Sequence, residues 1–571
     1  MIKKTLCTAL VCAAVMTAIT ACQAEPQQES AGAAQESSAV ETLESSSVEA
    51  DSTYLITAAG TYELSGDISD TVVTVAAGKN DKVELVLDNV TIENTNGPAI
   101  YIQSADKVCI TLKEGTVNTV SDGTDYSMID GDTNADAAIF SRADLTINGS
   151  GTLNVTGNYK HGIVSKDDLI ISDTNINAAA QKVGLNGKDC VEITNSVINV
   201  TAGSDGIRSD NEEDTSRGYV CLEGAEVNIT AANDGIQAET ELKASESVVT
   251  VNAGGGSNYA LLSAEESYKG LKAGGNITIS SGTYKIDSMD DCIHSNSNIS
   301  ITGGTFELAS GDDGIHADTE LSVSGGTMDI SKSYEGLESS KLLISGGIIS
   351  VVASDDGLNG AGGSDGSAMG GRFGQGGFSA STGEIIISGG YILVNASGDG
   401  IDANGNITVS GGVTLVSGPT SNGNAAFDYD GTATVTGGVL VALGSSGMAQ
   451  GFTTAENQGA IASSVSYQNA GTSFALCDES GNVIVSFTPE KSYQFAVVTS
   501  PGIQSGHTYT IVTGAEIDGA DNNGYAENTT LTGGTSAAEI EMTSTLYNAG
   551  GMGGRGGMGN PGGMGGKGGK K

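Results

Sequence analysis

Tryptophan is missing from this sequence, and proline (6), histidine (4) and the cations (25 lysines and arginines against 69 aspartates and glutamates) are scarce over its 571 residues. Each shortage excludes something. A formal charge of −44 repels phosphate backbones and removes nucleic acid as a partner. The lack of tryptophan argues against a flat aromatic platform for a crystalline polymer surface. Apolar residues nowhere sustain the i, i+3, i+4 spacing of amphipathic helices. Beyond residue 21 no run is long and apolar enough to span a bilayer. Cys109, Cys190, Cys221, Cys292 and Cys477 follow Cys22 as an odd, scattered set, a poor disulfide framework that reads as small buried hydrophobes. What abounds is glycine, 84 residues, and carboxylate. A cation is the natural first ligand.

The ends differ from the body. "MIKKTLCTALVCAAVMTAITACQAEPQ" has two lysines, an apolar stretch and then Cys22, so residues 1–21 read as a lipoprotein signal peptide. Ile19-Thr20-Ala21-Cys22 fits aliphatic, small, small, Cys. That pattern places lipid on Cys22 and the protein at the extracellular face of the cell membrane, held by the lipid alone. The alternative is an ordinary signal with an incidental cysteine. Residues 22–52 are rich in Ser, Ala, Glu and Gln and read as a disordered tether. Residues 550–571, "GGMGGRGGMGNPGGMGGKGGKK", form a Gly/Met-rich basic tail.

The body repeats itself. "GDDGIHADTELSVSGG", residues 311–326, aligns with "YKGLKAGGNITISSG", "DDCIHSNSNISITGG", "YEGLESSKLLISGG" and "GDGIDANGNITVSGG". The corners Gly162, Gly184, Gly206, Gly235, Gly270, Cys292, Gly314, Gly336, Gly357 and Gly400 are separated by 22, 22, 29, 35, 22, 22, 22, 21 and 43 residues. A period near 22 with insertions is a solenoid pattern. Between corners, segments such as Ile299-Ser300-Ile301 and Thr305-Phe306-Glu307-Leu308 alternate as strands do. The expectation is an all-β chain: a right-handed parallel β-helix solenoid of about 22 residues per coil over 53–445, with glycine where φ must be positive. A C-terminal β-hairpin cap is expected over 446–549, where "FALCDESGNVIVSFTPEKSYQFAVVTS" breaks the pattern. The protein is expected to be a monomer.

Stacked coils turn sequence spacing into spatial rows about 4.8 Å apart. One row holds Asp205, Asp234, Asp291, Asp313, Asp356 and Asp399, doubled by Asp290, Asp312 and Asp355 and interrupted by Lys269 and Glu335. Such carboxylates repel one another unless a cation intervenes, and calcium takes six to eight oxygens. The metal candidates are Asp290, Asp291, Asp312, Asp313, Asp355, Asp356, Asp399 and Asp402. The competing reading is that Asp-Gly is simply good turn chemistry. Neither the EF-hand nor the nonapeptide calcium-roll pattern occurs.

Two positions past each corner runs a second row: Asn186, Arg208, Gln237, Lys272, His294, His316, Glu338, Asn359 and Asp402. Read as outward-facing, Arg208, Lys272, His294 and His316 form a strip suited to a sugar acid, or else an ordinary solvated row. A zinc pair at His294 and His316 lacks a third ligand in the sequence. Tyr159, Tyr268 and Tyr334 precede corners, placed either to stack on sugar rings or to pack at the core edge. The insertion 360–382 reads as a flap or as a tolerated surface excursion.

"SGDGIDANGNITVSGGVTLVSGPTSNGNAAFDYDGTATVTGGVLVALGSSGMAQ", residues 397–450, with "DDGLNGAGGSDGSAMGGRFGQGGF" and the repeats before it, resembles the clostridial carbohydrate-binding domain-containing family, right-handed β-helices shaped like pectate lyases. The resemblance spans roughly residues 53–540. It implies binding of plant cell-wall polysaccharide, acidic sugars included, and bound calcium. The favoured expectation is therefore a lipid-anchored protein that binds such polysaccharide through calcium without cleaving it. Two alternatives stand beside it: a calcium-dependent polysaccharide lyase with Lys272 or Arg208 as base, and a structural surface adhesin.

Overall fold

The computed structural model describes residues 41–44, 54–126, 134–258, 266–361 and 383–549. The signal segment, Cys22, the basic tail and nearly all of the 360–382 insertion lie outside the described residues. So does most of the 22–52 stretch, but Glu41–Glu44 forms a strand whose backbone pairs with Tyr62–Ser65. Chain read as tether there adds to an otherwise open strand, because any extended backbone can satisfy such an edge. The described residues are all-β, without a helix. They fall into two compact units, one reaching Ala179 with Asn186–Lys188, the other comprising Ala180–Leu185 and the chain from Asp189.

In the first unit Leu85, Ile110, Ile147 and Ile171 stand opposite one another on successive parallel strands, each fully buried. The alternating sequence makes this stack: Val83, Leu85 and Leu87, Val108, Ile110 and Leu112, Leu145 and Ile147, and Leu169 and Ile171 turn inward.

The second unit has the same grammar over more coils. Ile207, Ile236, Leu271, Ile293, Ile315, Leu337, Leu358 and Ile401 form one interior stack. A second runs Leu242, Ile277, Ile299, Leu321, Leu342, Ile385 and Ile407. A third includes Val249, Tyr284, Phe306 and Met328, with the Tyr284 and Phe306 rings stacked 4.9 Å apart. Parallel pairing in register is thus the dominant feature, giving the solenoid-like architecture that the repeat implies. The five described cysteines are free, and all but Cys221 are buried.

The corner glycines are needed for a reason other than positive φ. A Cβ on Gly235 would press on Val251 and lie 2.5 Å from the Gly270 carbonyl oxygen. The two coils approach too closely at this edge for a side chain. Positive φ occurs instead at the second glycine of the Gly-Gly turns, such as Gly304 (φ 108°) and Gly326 (φ 94°).

Parallel pairing gives way at Ala433–Gly444, which pairs antiparallel with Tyr493–Ser500. Beyond it Phe474–Cys477, Val483–Phe487, Thr508–Ile517, Ala526–Thr529 and Leu531–Glu541 form a five-stranded antiparallel sheet. Phe474, Leu476, Phe487 and Ile511 from that sheet share one core with Leu415 and Val441.

Candidate functional site

All the corner residues from Asp205 onward belong to the second unit. Their carboxylates have a structural task that follows from the stacking. Oδ1 of Asp234 accepts the Lys269 N–H at 2.7 Å, Oδ1 of Asp291 that of Asp313 at 2.9 Å, and Oδ1 of Asp313 that of Glu335 at 3.1 Å. Asp356 and Asp399 do the same for the N–H groups of Asp399 and Ala425. One oxygen of each aspartate therefore ties its coil to the next. This is turn chemistry repeated along a ladder, and it leaves Oδ2 for something else.

What Oδ2 meets is set by the row two positions past the corner. Register places Arg208, Gln237, Lys272, His294, His316, Glu338, Asn359, Asp402 and Asp428 on successive rungs. Over the first rungs the row supplies cations. Arg208 Nη1 is 3.3 Å from Asp205 Oδ2, Lys272 Nζ 3.4 Å from Asp234 Oδ2, His294 Nδ1 2.8 Å from Asp291 Oδ2, and His316 Nδ1 3.2 Å from Asp313 Oδ2. The buried Lys269 ammonium joins them, 2.9 Å from Asp290 and 2.7 Å from Asp291. Burial alone would raise the Asp291 pKa, but Lys269 and His294 outweigh it and hold the carboxyl well below the usual carboxylate range. Burial also disfavours charge on His316, yet Asp313, Asp318, Asp291 and Glu338 around it push it up to about 12.

From Glu338 onward the row turns acidic: Glu338 still faces His316 Nδ1 at 3.2 Å, and past it no side-chain cation pairs with the row among the described residues. Burial, and then repulsion from neighbouring carboxylates, raises Glu335 to about 9 and Glu338 to about 10. The same causes raise Asp356 to about 8, Asp402 to about 7 and Asp399 to about 6. Asp356, Asp399 and Asp402 converge, with one carboxylate oxygen of each within 4.8 Å of the others. Asn359 sits on the rung between Glu338 and Asp402 with 6 % exposure. Its amide nitrogen donates to Glu335, while its Oδ1 is buried without a hydrogen-bond partner among the described residues. The row is thus neutralised internally at one end and open to an added cation at the other.

The structure separates the residues proposed from sequence accordingly. Asp290, Asp291 and Asp312 converge, but the Lys269 ammonium already stands among them. Asp313 faces His316, and Asp355 lies beside Asp356 without joining its three-carboxylate cluster. The histidines, read as outward, are 3 % exposed, because each ring folds back onto the aspartate three residues earlier. Asp291 supplies the third donor that a zinc pair lacked, but the same Oδ2 lies 2.7 Å from Lys269, which opposes a second positive charge there. Tyr268 is 3 % exposed and packs at the core edge, so its ring is closed to a sugar, whereas Tyr334 at 39 % keeps an open face. Arg208 and Lys272 are half-buried and ion-paired. Tyr159, in the first unit, stacks on Tyr126 at 4.4 Å.

Sequence reading missed Lys269 as a buried counter-ion, Asn359 as an orphaned oxygen donor, and Asp428 as the next rung. Lys269 was visible only as an interruption of the aspartate row. Asp428 was hidden because "AAFDYDG" lacks the Gly-Ile opening of the other repeats.

Residues 50–314 match a family model described as carbohydrate-binding domain-containing protein. A protein of that description from Acetivibrio thermocellus is 42 % identical over 125 residues, 22 % of this chain and 44 % of the relative. The chain thus spans less than half the length of that relative. A solved polysaccharide lyase-like protein from C. thermocellum, a gadolinium derivative, is 36 % identical over 39 % of this chain and 86 % of its own, with a TM-score of 0.36. By the family model and the relative, the stretch from residue 50 to 314 is similar to the carbohydrate-binding domain-containing proteins that the repeats first suggested.

Proposed function

We propose that this protein binds acidic or plant cell-wall polysaccharide without cleaving it, a calcium ion at Asp356, Asp399 and Asp402 bridging protein and sugar carboxylates. The observation that carries this reading is the half-row of half-buried carboxylates with no side-chain counter-ion among the described residues, beside the Oδ1 of Asn359, which has no partner among them. An all-oxygen donor set of this kind suits calcium rather than a nitrogen-seeking metal. The bound ion would supply positive charge to which a uronate can add its own carboxylate. Exposed Tyr334 lies on the next coil toward the N-terminus and offers a ring face to the sugar. Because the cluster lies beyond residues 50–314, it is read from this chain's own geometry.

Cleavage is disfavoured by distance. Lys272 is four rungs from the coil of Asp356, roughly 20 Å at about 4.8 Å per rung, too far to take a proton from a sugar held at that cluster. Lys272 and Arg208 are in any case committed to Asp234 and to Asp205 and Asp210. Cys22 is proposed as the lipid-bearing residue that holds the protein at the extracellular face of the membrane; membrane partition that persists in Cys22→Ala would reject it.

The experiment is retention of polygalacturonate by the full chain with calcium and after chelation. Loss of retention on chelation, restored by calcium, is expected. Equal retention in both states rejects the bridging role, and no retention in either rejects this choice of polysaccharide.

A further inference from the structure

The geometry points to a second carbohydrate site, distinct from the acidic row: a polar groove on the neighbouring face that takes an uncharged stretch of extended polysaccharide lying along the stack of coils.

The groove is a cavity of about 750 Å³ walled by consecutive rungs. One wall is a register row, Asn298, Glu320, Lys341 and Glu384, and Asn298 donates its amide to Asn276 of the preceding coil at 2.9 Å. A parallel row contains Thr278 and Ser300. The side-chain hydroxyls of Thr278, Ser300 and Thr319 have no hydrogen-bond partner among the described residues, and each of these residues is partly or fully exposed.

Three features fix the ligand class. The lining is amide and hydroxyl, which pair with sugar hydroxyls through both donors and acceptors. Its cation, Lys341, is taken by Glu320 at 3.0 Å, while Glu384 stands on the other side, so a chain of sugar acids meets net repulsion. The groups recur at the coil spacing of about 4.8 Å, so a periodic polymer engages several rungs at once while a lone sugar engages one. Affinity then comes from repetition rather than from any single strong contact.

The inference rests on the carbohydrate reading above, and the experiment separates the two. Affinity electrophoresis of the full chain through gels of uncharged xylan, glucomannan and mixed-linkage glucan is compared with calcium-dependent retention by polygalacturonate. Ser300→Phe fills the groove, Thr278→Val with Ser300→Ala removes two hydroxyls that bond nothing among the described residues, and Asp402→Asn serves as control. Ser300→Phe is expected to weaken retention by at least one uncharged polymer tenfold or more, and the double variant several-fold, with unchanged thermal midpoints and unchanged polygalacturonate binding. Asp402→Asn is expected to do the reverse. Undiminished retention of uncharged polymers by both groove variants overturns the groove. So does a wild-type chain that binds polygalacturonate alone, which leaves the acidic-site reading standing. A chain that binds no polymer overturns both.

Discussion

The Lys269 ammonium lies 2.7 Å from Oδ2 of Asp291, and the two side chains are 7 % and 0 % exposed. On the coil of Asp356 no side chain among the described residues plays the part of Lys269, and the row changes there from self-neutralised to open. Lys269→Met should leave Asp290 and Asp291 as buried, under-compensated charges and cost about 3 to 5 kcal/mol. Denaturant unfolding measures this. Adding Asp291→Asn should recover part of the loss, since the pair then fails together; a single variant as stable as the parent would show that the ammonium is not the counter-ion.

Asp356→Asn and Asp402→Asn should have opposite effects in the two metal states. In chelator above about pH 8, where both carboxyls are ionised, each removes a repelling charge and should raise the thermal midpoint. With calcium each removes a donor and should weaken calcium binding tenfold or more, about 1.4 kcal/mol, as read by calorimetry. Lower midpoints in chelator would mean that these carboxylates are held by unseen protein partners.

Stability without calcium should fall as pH rises. Glu335, Glu338, Asp356 and Asp402 have folded pKa values of about 9, 10, 8 and 7, above their ordinary 4.5, 4.5, 3.8 and 3.8. The folded state therefore binds more protons than the unfolded one between those limits, and the stability these groups supply is full below the ordinary values and lost through the folded ones. His316, also raised, acts in the same direction. Asp291, lowered, opposes them only in acid below about its ordinary 3.8. Midpoints in chelator should decline from about pH 4 to about pH 10, and calcium should flatten the decline by stabilising the ionised cluster.

The two tyrosines should part company. Tyr268→Ala removes a ring at 3 % exposure and should cost about 3 to 5 kcal/mol, the range for large buried rings. Tyr334→Ala should leave stability nearly unchanged and weaken polysaccharide retention. The reverse pattern would return Tyr268 to the binding face.

At the coil edge, Gly235→Ala should be destabilising by about 1 to 3 kcal/mol, because the new Cβ meets the Gly270 carbonyl, which is itself tied into the coil stack and cannot withdraw.

Register was legible in the sequence. The 22-residue spacing of Lys272, His294 and His316 sets them opposite one another, as pairing of their strands confirms. Period-2 alternation likewise assigned Ile299, Ile301 and Phe306 to the interior, because a strand has only two faces. Tertiary structure alone decided which charges meet. Whether an aspartate is neutralised depends on side-chain reach: Lys269 folds inward onto the next coil and the histidines turn back three residues, choices of rotamer and burial that spacing does not encode. It also decided that Asp428 follows Asp402 and that Glu384 borders Lys341, since the spacings of 26 and 43 residues between them depart from the 22-residue period.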